Sequence, residues 1–111
     1  MLESWVATTL QAHAEAQELY EHLGYWAPHQ SAVEVDFILQ RRGELLAIEV
    51  KATNRCQTGL LKGLRALDAV PGLVRRILVY TGERSFRSSD GVEIWPARRF
   101  AMEAASGTLW P

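Results

Sequence analysis

Apolar side chains recur at helical spacing along the first 23 residues, and this pattern predicts an amphipathic helix. The recurring positions are Leu2, Trp5, Val6, Thr9, Leu10, His13, Gln17, Tyr20 and Leu23. Glycine is common just beyond the C-terminus of a helix, so we expect Gly24 to end this one. The predicted helix is therefore about 20 residues long.

The pattern changes to period two after this helix and predicts a β-hairpin. A short strand at residues 25–27, closed by Pro28, comes first. Residues 33–40 and 45–51 then alternate between apolar and polar side chains on either side of a turn at residues 41–44. We expect these two segments to be neighbouring antiparallel strands.

A turn centred on Arg42 and Gly43 fixes which residues of the hairpin face each other. The apolar pairs in this register are Val35 with Val50, Phe37 with Ile48, and Leu39 with Leu46. A slip of one residue would turn these side chains to the opposite face, so the continuous apolar ladder supports the register.

The second half of the chain begins with a helical pattern and continues with a strand. A helix is predicted at residues 57–70, with Pro71 and Gly72 after it. Its expected buried positions are Leu60, Leu61, Leu64, Ala66 and Leu67. The wholly apolar residues 77–80 predict a strand in the interior of a sheet.

The end of the chain adds one strand and one helix. Residues 82–90 are a polar loop, residues 92–95 are a strand, and Pro96 opens a helix that runs to about Ala105. The predicted order is helix, three strands, helix and strand, followed by the extra strand and helix. This order indicates an α/β fold with an αβββαβ core, in which helices flank one mixed sheet within a single domain of residues 1–111.

Composition is typical of a small globular domain. The chain has 111 residues, of which 48% are hydrophobic, enough to bury a core and too many for a disordered chain. No apolar run approaches the roughly 18 residues of a membrane span, and the first residues lack the pattern of a signal peptide. The single cysteine, Cys56, excludes an internal disulfide, and no spacing of Cys and His suits zinc. We therefore expect a cytoplasmic protein without a membrane segment.

The net charge of −1 hides an asymmetry along the sequence. Residues 1–40 carry six acidic residues and no Lys or Arg, whereas residues 41–111 carry 12 basic and seven acidic residues. The basic half suits a polyanion, and the clustered carboxylates suit a cation. An acidic helix that packs beside a basic one would explain the same asymmetry without any ligand.

The polar face of the hairpin brings charged side chains together. The same register sets Asp36 opposite Glu49 and Glu34 opposite Lys51. Opposed carboxylates destabilise a sheet unless something compensates for them. Lys51 compensates in part, and a divalent cation would do so better, since Mg²⁺ favours one or two carboxylates with water and phosphate oxygens. The alternative is a solvated face that carries a surface salt bridge.

Two sequence motifs lie on either side of the hairpin turn. Val33-Glu34-Val35-Asp36-Phe37-Ile38 is followed by Ile48-Glu49-Val50-Lys51-Ala52-Thr53. Together they resemble the Asp…Glu-x-Lys core of the PD-(D/E)xK nuclease superfamily, which has the restriction-endonuclease-like fold. More narrowly, they resemble the uncharacterised nuclease-like domain at the C-terminus of many prokaryotic AAA-type ATPases. The resemblance extends over nearly the whole chain, through Glu3-Ser4-Trp5-Val6, Tyr25-Trp26, Leu61-Lys62-Gly63-Leu64-Arg65-Ala66-Leu67 and Asp90-Gly91-Val92-Glu93-Ile94. Val35 stands where the superfamily motif has proline.

The resemblance implies a metal-dependent site on the hairpin. It implies that Asp36 and Glu49 are ligands of Mg²⁺ or Mn²⁺ and that the backbone carbonyl of Val50 adds a further oxygen. It implies that Lys51 orients or helps to deprotonate the attacking water and offsets charge on the phosphate.

The first helix offers two candidates for a further acidic site residue. The resemblance implies Glu3, which lies on the inner edge of the apolar stripe when residues are spaced at about 100°. Glu21 has nearly the same angle but lies near the other end of the predicted helix. Glu3 is preferred because it matches the resemblance.

The function implied by the resemblance is metal-dependent hydrolysis of phosphodiester bonds in nucleic acid, DNA more than RNA. The alternative is a non-catalytic accessory module of an AAA-type ATPase that binds nucleic acid or protein. The expected partners are nucleic acid, an ATPase domain in cis or in trans, and a second copy of the chain. The complete set of Asp36, Glu49 and Lys51 favours the enzyme, since an inactive copy has no reason to retain opposed carboxylates.

Two further expectations concern the surface. The arginines at Arg75-Arg76, Arg84, Arg87 and Arg98-Arg99 either contact a phosphate backbone or lie in solvated loops. The first helix starts close to Met1 without a capping segment, so we expect a piece of a longer protein. Such a piece would expose an apolar patch around Leu2, Trp5 or Trp110.

Overall fold

A six-stranded mixed sheet runs through the fold, and helices cover both of its faces. The computed structural model describes residues 1–27 and 34–111. The helices are α1 (Leu2–His13), α2 (Lys62–Ala66) and α3 (Ala97–Ser106), and a 3₁₀ turn at Thr58–Leu61 leads into α2. The strands are β1 (His22–Trp26), β2 (Val35–Arg41), β3 (Glu44–Lys51), β4 (Leu73–Tyr80), β5 (Phe86–Arg87) and β6 (Glu93–Pro96). None of the helices in these ranges is long and apolar enough to cross a membrane.

The order of strands across the sheet is β1-β2-β3-β4-β6-β5. The antiparallel neighbours are β1 with β2, β2 with β3, and β5 with β6, whereas β4 is parallel to both β3 and β6. A parallel step from β3 to β4 requires a crossover, and the segment that contains the 3₁₀ turn and α2 provides it. The predicted α/β fold, with an αβββαβ order and helices flanking a mixed sheet, is therefore confirmed.

The first helix is shorter than the sequence pattern predicts. α1 ends at His13, and the following turns close at Glu18, which has a left-handed φ of 48°. The N–H of Leu19 donates to the carbonyl of Ala14 over an N···O distance of 3.1 Å, as in a Schellman motif. The expected end at Gly24 is wrong, because Glu18 turns the chain earlier and Gly24 lies inside β1.

The second helix is also shorter than predicted, and its buried face differs. The segment 57–70 contains the 3₁₀ turn and the five residues of α2. Ala66 is exposed and Leu60 is half-buried, contrary to the prediction, while Gly63 is buried. The positions that are buried as predicted are Leu61, Leu64 and Leu67.

Several strands differ at their ends from the sequence prediction. β1 and β4 begin earlier than expected, at His22 and Leu73, and the short β5 lies inside the predicted polar loop. Pro96 ends β6 and is followed directly by α3, as expected. Pro28 and Val33, which the sequence pattern places at strand ends, lie outside the described residues.

The hairpin of β2 and β3 has the predicted register next to its turn. Arg42 and Gly43 form the turn with φ angles of 53° and 79°, the left-handed pair that a two-residue hairpin loop requires. The confirmed apolar pairs are Phe37 with Ile48 and Leu39 with Leu46.

A β-bulge interrupts β2 beyond these pairs. Between the β1 partners of Ile38 and Val35, two residues of β2, Asp36 and Phe37, lie opposite a single residue of β1. The bulge turns Val35 to the face opposite Phe37. The predicted pairing of Val35 with Val50 is therefore wrong, because the two side chains pack on different faces of the sheet.

Each face of the sheet carries its own hydrophobic core. The α1–α3 core consists of Val6, Leu10, Leu19, Phe37, Leu39, Leu46, Ile48, Val50, Ile77, Val79, Trp95, Phe100, Ala104, Leu109 and Trp110. The α2 core consists of Val35, Ala47, Leu61, Leu64, Leu67, Leu78, Tyr80, Val92 and Ile94. Burial on both faces explains why the central strands are rich in apolar residues.

The C-terminal tail packs back onto the fold. Trp110 is 7% exposed, its Nε1 donates to the carbonyl of Leu19 at 2.6 Å, and the guanidinium of Arg41 lies 4.7 Å from its ring centroid. The expectation that Trp110 belongs to an exposed patch is therefore wrong. Trp5 is 38% exposed and Leu2 is half-buried, so the apolar surface of this group is concentrated at Trp5.

Four of the six arginines expected in phosphate contacts, Arg75, Arg76, Arg87 and Arg99, make contacts within the fold. Arg75 pairs with Glu93 at 2.7 Å, Arg87 with Glu93 at 3.8 Å and Arg99 with Glu103 at 3.4 Å. Arg76 donates to the carbonyl of Leu64 at 3.2 Å and to the carbonyl of Asp90. Arg84, Arg87 and Arg98 are exposed. The surface available for a phosphate backbone is thus less basic than the sequence suggests.

Candidate functional site

The β-bulge directs the carboxylate of Asp36 toward β3. In a regular hairpin, the backbone of Val50 would bond to the backbone of Val35. Instead, the N–H of Val50 donates to Oδ2 of Asp36 at 2.8 Å. The N–H and C=O of one strand residue point to the same edge, so the Val50 carbonyl also faces Asp36. The half-buried Asp36 therefore stands where the backbone ladder would have continued.

Glu49 is a buried carboxylate on the α2 face of β3. Its neighbours Ile48 and Val50 point into the α1–α3 core, so the alternation of the strand turns Glu49 to the opposite face. Its side chain is 4% exposed and forms a hydrogen bond with Asp36. Because regular pairing of β2 with β3 ends at Phe37, the two carboxyl groups meet across the bulge and not as a regular cross-strand pair.

α2 lies directly over Glu49, and Gly63 makes this close approach possible. A Cβ atom built on Gly63 would lie 2.5 Å from the backbone oxygen of Glu34 and 3.2 Å from Oε2 of Glu49. No side chain fits at the first of these distances. The crossover segment therefore packs against the site at a position where only glycine fits without a shift of the backbone.

A cavity of about 190 Å³ opens between this segment and the hairpin. Charged residues of both elements line it, together with small and apolar residues of the crossover: Glu34, Glu49, Lys51, Gly59, Leu60, Lys62 and Gly63. Lys51 is half-buried, whereas Glu34 is exposed at the mouth. Glu34, Glu49 and Lys51 thus lie close together, as predicted, and all three line one cavity.

Glu3 reaches the same carboxylates from the first turn of α1. Although exposed, it forms a hydrogen bond with Asp36. The negative charge of Asp36, followed by partial burial and this hydrogen bond, raises the pKa of Glu3. Glu21, the other candidate on the first helix, accepts a hydrogen bond from the N–H of Arg42 at 3.0 Å and lies at the hairpin turn. Of the two candidates, the fold brings only Glu3 to the site.

The environment of Glu49 strongly favours its neutral form. Burial raises the pKa of Glu49 to about 8, and the hydrogen bond and negative charge of Asp36 act in the same direction. The charge of Lys51 opposes the shift without cancelling it. In the absence of a cation, the neutral form of Glu49 therefore predominates at neutral pH.

This raised pKa predicts that the metal-free protein loses stability as the pH rises. Below the ordinary pKa of 4.5, Glu49 is protonated in both the folded and the unfolded chain, and its contribution to stability is fully present. That contribution is lost as the pH approaches and passes the folded pKa of about 8. We expect a loss on the order of 2–4 kcal/mol in the free energy of unfolding between about pH 5 and pH 8.5.

Urea unfolding in EDTA at both pH values measures this loss. Glu49→Gln cannot ionise and is expected to lose much less stability over the same interval. Parallel pH profiles for the wild type and Glu49→Gln would contradict the assignment of the shift to Glu49.

The oxygen donors of the site fit a hard divalent cation. Asp36 and Glu49 supply two neighbouring carboxyl groups, and a cation would oppose the burial and the negative charge of Asp36 that raise the pKa of Glu49. Mg²⁺ is commonly held by one or two carboxylates together with water and substrate phosphate oxygens. In the part of the chain that the structure describes, no three His, Cys, Asp or Glu side chains are spaced to ligate one ion. The residues therefore fit an open magnesium site and not a closed protein cage.

The sequence anticipated the charged residues of the hairpin but missed the segment that covers them. The fold brings together four of the predicted residues, Glu3, Asp36, Glu49 and Lys51. At Val50, whose carbonyl was predicted to be a ligand, the N–H donates to Asp36. Gly59, Lys62 and Gly63 were expected in an ordinary amphipathic helix. The signal that would have identified them is the presence of two glycines, Gly59 and Gly63, within five residues, which is unfavourable in a regular helix.

Comparison with known proteins identifies a matching family. The model of a protein family described as a domain of unknown function, DUF4143, matches residues 1–100. No curated protein and no solved structure matches the chain.

Proposed function

The chain belongs to the DUF4143 family, a family of unknown function, and from that premise we propose that its hairpin site hydrolyses phosphodiester bonds of nucleic acid with the help of Mg²⁺ or Mn²⁺. The single observation that carries the proposal is the contact of buried Glu49 with Asp36 across the β-bulge, with Lys51 on the same cavity. A buried carboxyl group beside a second acidic side chain is costly to fold, and catalysis is a common reason to retain one.

Each residue has a distinct role in this proposal. Asp36 and Glu49 hold the cation, and the carbonyl of Val50 adds an oxygen from the same edge of β3. When bound there, the cation would act as a Lewis acid toward the phosphate. Lys51 orients the attacking water and offsets negative charge on the phosphate, as a compact ammonium group can. Glu3 keeps Asp36 in place through its hydrogen bond.

The surroundings of the site favour catalysis over simple nucleic-acid binding. A binding module needs a broad basic surface, yet Arg75, Arg76 and Arg99 are engaged within the fold. Two lysines and two acidic residues, Lys51, Lys62, Glu34 and Glu49, instead line one small cavity. This concentration suits a small reacting group better than a long stretch of backbone.

We further propose that the domain works in the cytoplasm with an AAA-type ATPase, either in the same chain or as a separate protein. The sequence resemblance supports this partner. A non-catalytic accessory of such an ATPase is the alternative function, and it would need neither a cation nor a reactive carboxylate pair.

A cleavage assay on the purified chain tests the proposal. Labelled single-stranded and double-stranded DNA and RNA are incubated with Mg²⁺ or Mn²⁺, and with EDTA in parallel. We expect cleavage that requires the cation and that is absent from Asp36→Asn prepared in the same way. Cleavage that is equal in the two preparations would come from a contaminant. No cation-dependent cleavage of any of these substrates would overturn the proposal in favour of the accessory role.

A further inference from the structure

Both lysines of the chain line the Glu49 cavity. Of the 12 basic residues, ten are arginines and two are lysines, Lys51 and Lys62. Lys51 ends β3 and Lys62 begins α2, so they reach the same cavity from different elements. None of the ion pairs in residues 1–27 and 34–111 uses either lysine. Both ammonium groups are therefore available for a ligand.

We propose that Lys62 is a second phosphate-binding residue, which binds one phosphate group of the substrate together with Lys51. This inference rests on the proposed function, because it names how that site holds its substrate. The cavity of about 190 Å³ is smaller than the roughly 300 Å³ at which pockets for drug-sized ligands begin, so it admits a phosphate group and not a whole nucleotide. A lysine is a compact charge with freely rotating donors, which suits such a small space better than the planar fork of an arginine.

The acidic lining of the cavity explains why one lysine is insufficient. Glu34 lines the same space and repels an incoming anion. Lys51 shares the cavity with this acidic side chain, so part of its attraction for phosphate is offset. A second ammonium group, supplied by α2, changes the balance in favour of phosphate.

The backbone of α2 is held so that Lys62 stays at the cavity. The guanidinium of Arg76, which is 9% exposed, donates to the carbonyl of Leu64 at 3.2 Å and to the carbonyl of Asp90. Arg65 on α2 forms an ion pair of 2.9 Å with Asp90. Together with the seating of Gly63, these contacts fix the position from which the exposed side chain of Lys62 extends.

Binding measurements in a non-cleaving background test this role. Glu49→Gln is combined with Lys62→Ala, and the affinity for a fluorescein-labelled single-stranded DNA 20-mer is measured by anisotropy at several salt concentrations. We expect the dissociation constant to rise about tenfold. We also expect the slope of log affinity against log salt to fall in magnitude by about 0.7, the value for the loss of one phosphate contact with a single strand. Lys62→Arg keeps the charge and should preserve this slope.

Arg98→Ala in the same background is the matched control. Arg98 is exposed on α3, on the other face of the sheet, and its loss changes the net charge by the same amount. Its affinity should stay within about twofold of the parent, with an unchanged salt slope. Equal effects of Lys62→Ala and Arg98→Ala would overturn the inference. If the wild type cuts nothing but binding depends on Lys62, the proposed hydrolysis fails while the phosphate site stands.

Discussion

Glu49→Gln is expected to lower the rate of Mg²⁺-dependent cleavage by about 100-fold or more while stabilising the metal-free protein at pH 8. The amide has the size of the carboxyl group and still donates a hydrogen bond to Asp36, so the cavity keeps its shape. It carries no negative charge, so the cation loses one of its two carboxylate ligands. The same change removes the free-energy cost of ionising a buried group whose pKa is about 8.

The opposite signs of these two effects separate a catalytic from a structural role. Substitution of a residue retained for folding would lower stability and activity together. Substitution of a functional carboxylate that is unfavourably buried lowers activity and raises stability. Mn²⁺ binding by isothermal calorimetry, cleavage rates and urea unfolding are measured on one preparation. Glu15→Gln, an exposed acid beyond the end of α1, is the control and should change none of them. Retention of Mg²⁺-dependent cleavage by Glu49→Gln would contradict the prediction.

The parts of the fold that depend on local pattern could be predicted from the sequence. The turn at Arg42 and Gly43 needs two left-handed residues, and the alternation on each side of it is read directly from side-chain types. The pairs of Phe37 with Ile48 and of Leu39 with Leu46 follow from that turn. The α/β order follows in the same way from changes of hydrophobic period.

The bulge at Asp36 could not be predicted, because it results from a competition between two acceptors. The alternation rule treats a polar side chain as a group that faces solvent. Here the carboxylate of Asp36 accepts the N–H of Val50, which a backbone carbonyl of β2 would otherwise accept. The strand then contains one extra residue, and Val35 changes face. The sequence therefore predicted that the two carboxylates lie close together, as they do, but the regular cross-strand pair that it predicted is wrong.

The predicted length of the first helix was wrong for a related reason. Periodic apolar residues continue past His13, but Glu18 adopts the left-handed conformation that the pattern assigned to Gly24. The gain that offsets this strain comes from elsewhere in the chain, since the turn buries Leu19 and presents its carbonyl to Trp110. Contacts over 91 positions of sequence are not visible in a local period.

Gly63→Ala is expected to lower the free energy of unfolding by about 1–3 kcal/mol and to impair cleavage strongly. The new methyl group would lie 2.5 Å from the backbone oxygen of Glu34, so either α2 or the start of β2 has to move. Movement of α2 displaces Lys62 from the cavity, and movement of β2 displaces Asp36 from Glu49. Helix propensity alone favours alanine over glycine by about 1 kcal/mol, so destabilisation would be diagnostic of the close contact.

Gly59→Ala provides the matched control for this prediction. Gly59 lines the same cavity from the 3₁₀ turn, yet a Cβ atom built on it meets nothing within 4 Å. We expect its unfolding free energy and cleavage rate to stay close to those of the wild type. Urea unfolding and initial cleavage rates in Mg²⁺ compare the two variants. If Gly63→Ala were as stable and as active as Gly59→Ala, the crossover could not be seated on Glu49 as closely as described. If it were stable but inactive, the close contact at Gly63 would matter for catalysis without limiting the stability of the fold.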